Sequence, residues 1–118
     1  MSADCLFCKI VNREIPADIV HETDDTLAFR DISPQAPVHV LVIPKVHAAT
    51  MPDLIATENG EALAGKLMAA VAAVADKEGL WPGDGFRTVL NAGERAAQSV
   101  FHVHAHVLGK RMLGWPPG

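Results

Sequence analysis

Residues 101–108 read Phe-His-Val-His-Ala-His-Val-Leu, three histidines set two apart with apolar residues between them. An extended strand puts alternate side chains on opposite faces. The run therefore predicts a strand with His102, His104 and His106 on one face and Phe101, Val103, Ala105 and Val107 toward a core. At a rise of about 3.3 Å per residue, neighbouring histidines stand roughly 6.6 Å apart and the outer two roughly 13 Å apart. Zinc–nitrogen bonds are only about 2.0–2.1 Å long, so one ion cannot collect all three. The pattern points to a reactive face more than to a three-histidine metal centre.

The remaining patterns place this strand in a single domain spanning residues 1–118. The chain is 49% hydrophobic and 20% charged, and this length holds one core but not two. Asp4 is a plausible N-cap for a short helix over residues 4–13. Residues 18–22 and 26–32 read as strands joined by the turn-prone Thr23-Asp24-Asp25, and residues 38–43 as a third, apolar-rich strand carrying His39. Between the second and third, Ser33-Pro34-Gln35-Ala36-Pro37 is a stiff loop. Leu63, Leu67, Val71 and Val74 recur at helical spacing over residues 58–78, with Gly79 as the stop. Strands over 86–91 and 100–108 complete an α+β domain: a five-stranded antiparallel meander sheet with one short N-terminal and one long helix. Residues 109–118, with Trp115 beside Pro116 and Pro117, read as an irregular docked tail.

Charge and composition exclude several function classes. A net charge of −4 is unsuited to tracking nucleic-acid phosphates, which needs many clustered Lys and Arg side chains. No apolar run is long enough to span a membrane, and residues 1–4 lack the layout of an export signal, so a cytoplasmic protein is expected. In a reducing compartment the only two cysteines, Cys5 and Cys8, suggest a metal or redox pair before a structural disulfide. An acidic chain can still hold an anion locally. Asn91, Gly93, Gln98 and Ser99, just before the histidines, offer amide, hydroxyl and backbone N–H donors. A neutral imidazole whose Nδ1–H is held by an acceptor has Nε2 free to attack phosphorus, and a second imidazole can offset charge on the phosphoryl oxygens.

At these residues the chain resembles the histidine triad family, whose signature His-φ-His-φ-His-φ-φ is matched by His102-Val103-His104-Ala105-His106-Val107-Leu108. The likeness extends to Cys5-Leu6-Phe7-Cys8-Lys9-Ile10, Glu14-Ile15-Pro16, residues 31–37, His39 to Lys45, Gln98-Ser99-Val100 and Trp115-Pro116-Pro117-Gly118. The ending is similar to that of the nucleotide-binding branch with purine nucleoside phosphoramidase activity. The resemblance implies a homodimer with the sheet continued across both protomers, the tail reaching toward the partner's site through Trp115, and a purine nucleotide substrate. It implies His104 as nucleophile at the α-phosphate, oriented by the His102 backbone carbonyl, with His106 and Ser99 on phosphate oxygens or the leaving group and His39 in support. Asp31 would bind the ribose, and Leu6, Phe7, Ile10, Ile15, Phe29, Ile32 and Leu41 would wall the base pocket. No cofactor is expected for catalysis.

The cysteine pair stays open between two readings. Cys5 and Cys8 are three apart on a predicted helix, which sets both sulfurs on one side of a turn. Zinc-bearing relatives imply His47 and His102 as the other two ligands of a structural site; the alternative is a pair of small buried hydrophobes. Function is also open between three readings: phosphoramidate hydrolysis, dinucleoside polyphosphate hydrolysis, and a nucleotide-binding or interaction module with incidental catalysis. In the related nucleotidyltransferases a glutamine stands where this chain has His106, which weighs against that chemistry.

Overall fold

The computed structural model describes residues 4–118. The elements run α1 (Leu6–Val11), β1 (Ile19–Glu22), β2 (Thr26–Arg30), β3 (Val38–Pro44), α2 (Met51–Ile55), α3 (Gly60–Lys77), β4 (Phe86–Val89), a 3₁₀ turn (Glu94–Ala96) and β5 (Ala105–Gly109). All strand pairs are antiparallel, so the expected α+β domain with a five-stranded sheet, a short N-terminal helix and a long one is what forms. The strand order is β1-β2-β3-β5-β4. The first three strands are the predicted meander, but the last two are not its continuation. The chain leaves β3, passes through α2 and α3, lays β4 at the far edge, and only then returns β5 between β3 and β4. No described helix is long and apolar enough to cross a membrane.

Both faces of this sheet are covered, and the period-2 pattern of β2 and β3 shows how. Ala28, Val40 and Val42 pack with Ala105 and Val107 of β5 against Leu67, Ala70, Val71 and Val74 of α3. Their alternates Leu27, Phe29, Leu41 and Ile43 pack on the other side against Phe7, Cys8 and Ile10 of α1. Burial of a Leu, Ile, Val or Phe side chain stabilises by about 1.5–3 kcal/mol, so the two layers hold β3 and β5 rigidly at the middle of the sheet.

Three departures from expectation bear on the site. The last strand begins at Ala105 and not at residue 100, so His102 and His104 lie in the irregular segment that leads into it. Phe101, expected to face the core, is half exposed, in a segment that has no ladder partner in the sheet. Val103 is buried instead with Ala48 and Leu54, and its N–H donates to the Ala48 carbonyl at 2.8 Å. The N-terminal helix is shorter than expected, and its N-cap is Cys5, not Asp4: the Cys5 sulfur accepts from the Cys8 N–H at 3.1 Å. Helix α2 was not anticipated, although its signal is present in the sequence. Thr50 is its N-cap, accepting from the Asp53 N–H at 3.3 Å, with Pro52 in the first turn.

Gly60 opens α3 directly against the end of α2. A Cβ built there would drive into the carbonyl oxygens of Leu54 and Ile55, which belong to backbone and cannot rotate aside. Gly60→Ala is expected to lower stability by about 1–3 kcal/mol, the usual cost of overpacking. Chemical denaturation should report this as a lower midpoint with an unchanged m-value.

Candidate functional site

Two clusters meet at His102, which is fully buried. Its Nε2 lies 2.8 Å from the Pro44 carbonyl oxygen at the end of β3. A carbonyl only accepts, so the imidazole proton sits on Nε2 and Nδ1 is left with a bare lone pair. That Nδ1 faces Cys5 Sγ at 3.3 Å, Cys8 Sγ at 3.5 Å and His47 Nδ1 at 3.3 Å, and Cys8 Sγ is 3.4 Å from His47 Nδ1. A tetrahedral ion with the usual Zn–N and Zn–S bonds has ligand–ligand edges of roughly 3.3–3.8 Å. These four separations fall in that range and all four donor atoms lie within 4.8 Å of one another, and the Pro44 carbonyl is the kind of outer partner that would orient a metal-bound imidazole. Cys5, Cys8, His47 and His102 thus form a Cys₂His₂ group compatible with a structural zinc, with four protein donors and hence no open position for chemistry.

The backbone of the same residue serves the other cluster. The carbonyl oxygen of His102 is 2.8 Å from His104 Nδ1, so His104 carries its proton there and presents Nε2 as a free base. The Phe7 ring packs edge-on against the His104 imidazole at 5.1 Å and against Phe29 at 5.4 Å. Through Phe7, helix α1 thus both walls the cavity and confines the His104 ring.

A second chain of hydrogen bonds fixes the third histidine. The backbone N–H of Gln35 donates to His39 Nδ1 at 2.9 Å. The proton of neutral His39 is therefore on Nε2, which lies 2.9 Å from His106 Nδ1 and 3.4 Å from Asp31 Oδ2. His39 donates, His106 accepts, and His106 is left with its own proton on Nε2. Asp31, His39 and His106 also converge closely enough to be considered as metal ligands. Their outer partner argues otherwise: an N–H donated to His39 Nδ1 keeps a proton on Nε2, where a metal would need a lone pair.

These groups open onto a cavity of about 980 Å³ whose lining includes Leu6, Phe7, Ile10, Ile15, Phe29, Ile32 and Leu41, together with Asp31, His39, Ser99, His104 and His106. Its size and mixed lining suit a nucleotide-sized ligand. Most of the expected site residues are thereby brought together. Asn91 and Gln98 do not line it. Gln98 is buried and staples the loop: its Nε2 donates to the carbonyls of Ala49 and Val100 at 2.6 and 3.1 Å, and its Oε1 accepts from the Gly93 N–H at 2.9 Å. Trp115 is 81% exposed, with the Arg87 guanidinium 5.8 Å from its ring centroid, so it is not buried in its own protomer. The Pro44 and Gln35 backbone contacts, which set two imidazole tautomers, were missed because main-chain groups carry no residue-type signal.

Burial lowers the basicity of three of these rings. His106 is pushed down to about 4, by loss of hydration first and by the neighbouring His104 and His39 next, against an opposing pull from Asp31. His39 is lowered mainly by burial, with Asp31 opposing. His102 falls to about 4, again chiefly through burial, with the Pro44 carbonyl opposing. A histidine depressed in the folded state binds fewer protons than the unfolded chain does between the two pKa values. Its contribution to stability is complete above the unfolded value near 6.5 and is lost as pH falls toward about 4. Stability should accordingly decline from pH 6.5 to 4 in wild type, and the decline should be shallower in His106→Gln, as read by denaturant midpoints across that range.

Comparison with known proteins agrees with this geometry. The "14 kDa zinc-binding protein" of Brassica juncea is 46% identical over 98% of this chain and 100% of its own length. "Adenylylsulfatase HINT1" of Arabidopsis thaliana is 46% identical over 96% of this chain and 76% of its own. The crystal structure of a HIT family hydrolase from Legionella pneumophila superposes with a TM-score of 0.90 at 45% identity, covering 98% of this chain and 100% of that one. Residues 12–113 match the HIT domain, and the chain belongs to the HIT family.

Proposed function

We propose that this protein hydrolyses purine nucleoside phosphoramidates at the α-phosphate through a nucleotidyl-histidine intermediate. The observation that carries the reading is the hydrogen bond from His104 Nδ1 to the His102 carbonyl, which leaves Nε2 as an unprotonated nucleophile beside the cavity. His104 Nε2 forms a bond to phosphorus as the P–N bond breaks, and the nitrogen departs as the amine with a proton taken up from solvent. The ring becomes cationic, and its Nδ1–H bond to the His102 carbonyl becomes charge-assisted and stronger. Water then attacks phosphorus and gives up a proton to solvent, the histidine–phosphorus bond breaks with its electron pair returning to Nε2, and His104 regains its neutral form. His106 Nε2–H and the Ser99 hydroxyl act as donors to the phosphoryl oxygens or the leaving group, while His39 positions His106.

The nucleoside lies in the apolar end of the cavity. Phe7, Ile10, Ile15, Phe29 and Ile32 flank the base, and Asp31 accepts from the ribose hydroxyls with lone pairs not engaged by the Ser33 N–H, which donates to Oδ1 at 2.8 Å. Gln98 supports this end only indirectly, by bracing the loop that carries Ser99, and Asn91 takes no part in the proposed site. A zinc held by Cys5, Cys8, His47 and His102 would supply a brace and no chemistry on substrate. The reading includes a cytoplasmic homodimer joined along β4, which is an edge strand, with Trp115 directed to the partner's site.

A second reading, cleavage of adenylyl sulfate, is favoured by the name of the Arabidopsis relative. It uses the same attack with sulfate leaving. Purified wild type and His104→Ala should be incubated separately with an adenosine phosphoramidate, adenylyl sulfate and a diadenosine polyphosphate. Wild type is expected to cleave the phosphoramidate and to show a nucleotidyl adduct by intact mass under rapid acid quench. His104→Ala should lose activity by roughly 10³-fold or more. Cleavage of the dinucleotide alone would reject the phosphoramidate assignment, and no turnover with no adduct would reject the enzymatic reading. Asp31→Asn is expected to raise KM for the ribonucleotide several-fold while leaving that for the 2′,3′-dideoxy analogue nearly unchanged.

A further inference from the structure

His102 is the one residue that belongs to both clusters, and the segment carrying it is not part of the sheet. Regular ladder pairing of β5 with β3 begins only at Ala105. The carbonyl that orients the nucleophile is therefore not held by ladder bonds on either side. Three things hold it instead. The Val103 N–H donates to Ala48, the His102 ring donates through Nε2 to Pro44, and His102 Nδ1 faces Cys5, Cys8 and His47. The first two anchor the peptide and the ring at one point each. The third ties the imidazole to a further element as well, because Cys5 caps α1 and Cys8 lies within it, while His47 follows β3.

From this we infer that Cys5, Cys8 and His47 are positioning residues for the proposed reaction: with a divalent, thiolate-binding cation such as zinc shared among them and His102, they lock the His102 carbonyl on His104 Nδ1. The inference rests on the reading of His104 as the attacking residue. Two bare or weakly held Nδ1 atoms 3.3 Å apart, with two sulfurs at similar range, repel one another's lone pairs unless a cation or a proton lies between. Without the cation that repulsion pushes the His102 ring, and its Cα with it, away from Cys5 and His47, and the His102–Val103 peptide, which has one backbone hydrogen bond and no ladder partner, shifts along. His104 Nδ1–H then loses its fixed acceptor, and Nε2 is no longer the obligatory lone-pair nitrogen. Loss of the cation would act on the chemical step and leave the base pocket, formed by β2, β3 and the body of α1, largely in place.

The test uses the full-length protein purified with zinc, assayed as isolated, after removal of metal by a chelator under reducing conditions, and after zinc is added back. Three quantities are read at a temperature well below unfolding: bound zinc per chain, kcat and KM for the phosphoramidate, and the His104 Nδ1–H resonance in ¹⁵N-histidine-labelled protein. Removal is expected to lower kcat at least tenfold with KM changed less than twofold, to broaden or abolish the His104 N–H signal, and to leave the far-UV circular dichroism intact. Zinc should restore all three. The variant His47→Cys, which keeps four donors, should retain zinc, the signal and kcat within about threefold, whereas His47→Ala should behave as the stripped protein does.

An N–H signal and kcat that survive complete removal of metal would overturn the inference. So would loss of the fold along with the signal at every temperature tried, since the metal would then hold the chain and not the nucleophile. Absence of turnover in the zinc-loaded wild type would reject the phosphoramidate reading, yet the response of the N–H signal to metal would still decide the coupling.

Discussion

The structure depends on the way one buried histidine is tied down. His102 spends its Nε2–H on Pro44, points Nδ1 at two thiols and a second imidazole, and offers its carbonyl to His104. Each bond constrains the others because the ring and its peptide share one Cα. A buried imidazole with an unmatched nitrogen costs free energy in proportion to its isolation from water, and here neither nitrogen nor the carbonyl is left without a neighbour. His104 thereby gains a defined tautomer without any carboxylate to set it.

The same logic, applied with the opposite outcome, distinguishes the second cluster. His39 receives a backbone N–H at its outer nitrogen and so must keep a proton facing His106. His102 receives a carbonyl and so must present a lone pair. Two groups of similar composition are thus driven toward different chemistry, a hydrogen-bond relay and a cation cluster, by which main-chain atom happens to face the back of the ring. Burial reinforces both by disfavouring the imidazolium form, which holds His106 neutral across ordinary pH. The relay ends in a donor poised at the cavity, and the cluster ends in the orientation of the base beside it.

The packing that makes this possible is shared between structure and site. Helix α1 and its cap supply Phe7 against His104, Cys5 and Cys8 to the cluster, and Ile10 to the pocket wall, all from one short element. It has too few residues to be stable alone. It is held by the layer of Leu27, Phe29, Leu41 and Ile43 beneath it, and its N-cap is itself one of the thiols, so helix and cluster are expected to form together.

The fold class, the long helix with its Gly79 stop, the first three strands and the histidines that gather at the cavity were all legible in the sequence. These follow from local periodicity and from residue types whose chemistry is their own. The triad motif marked His104, which lines the nucleotide-sized cavity, and the Cys–x–x–Cys spacing marked two of four converging donors. What the sequence could not determine was where the histidine run leaves the sheet. Alternation predicts a strand wherever it persists, yet β3 pairs with the last strand only from Ala105 and β4 only from His106 onward, and pairing is a property of the partners. Nor could it show that Gln98 turns inward to brace a loop, or which nitrogen of each imidazole carries the proton. Those were decided by the main-chain atoms of Pro44, Gln35 and His102, groups present in nearly every residue and distinguished only by where the tertiary structure puts them.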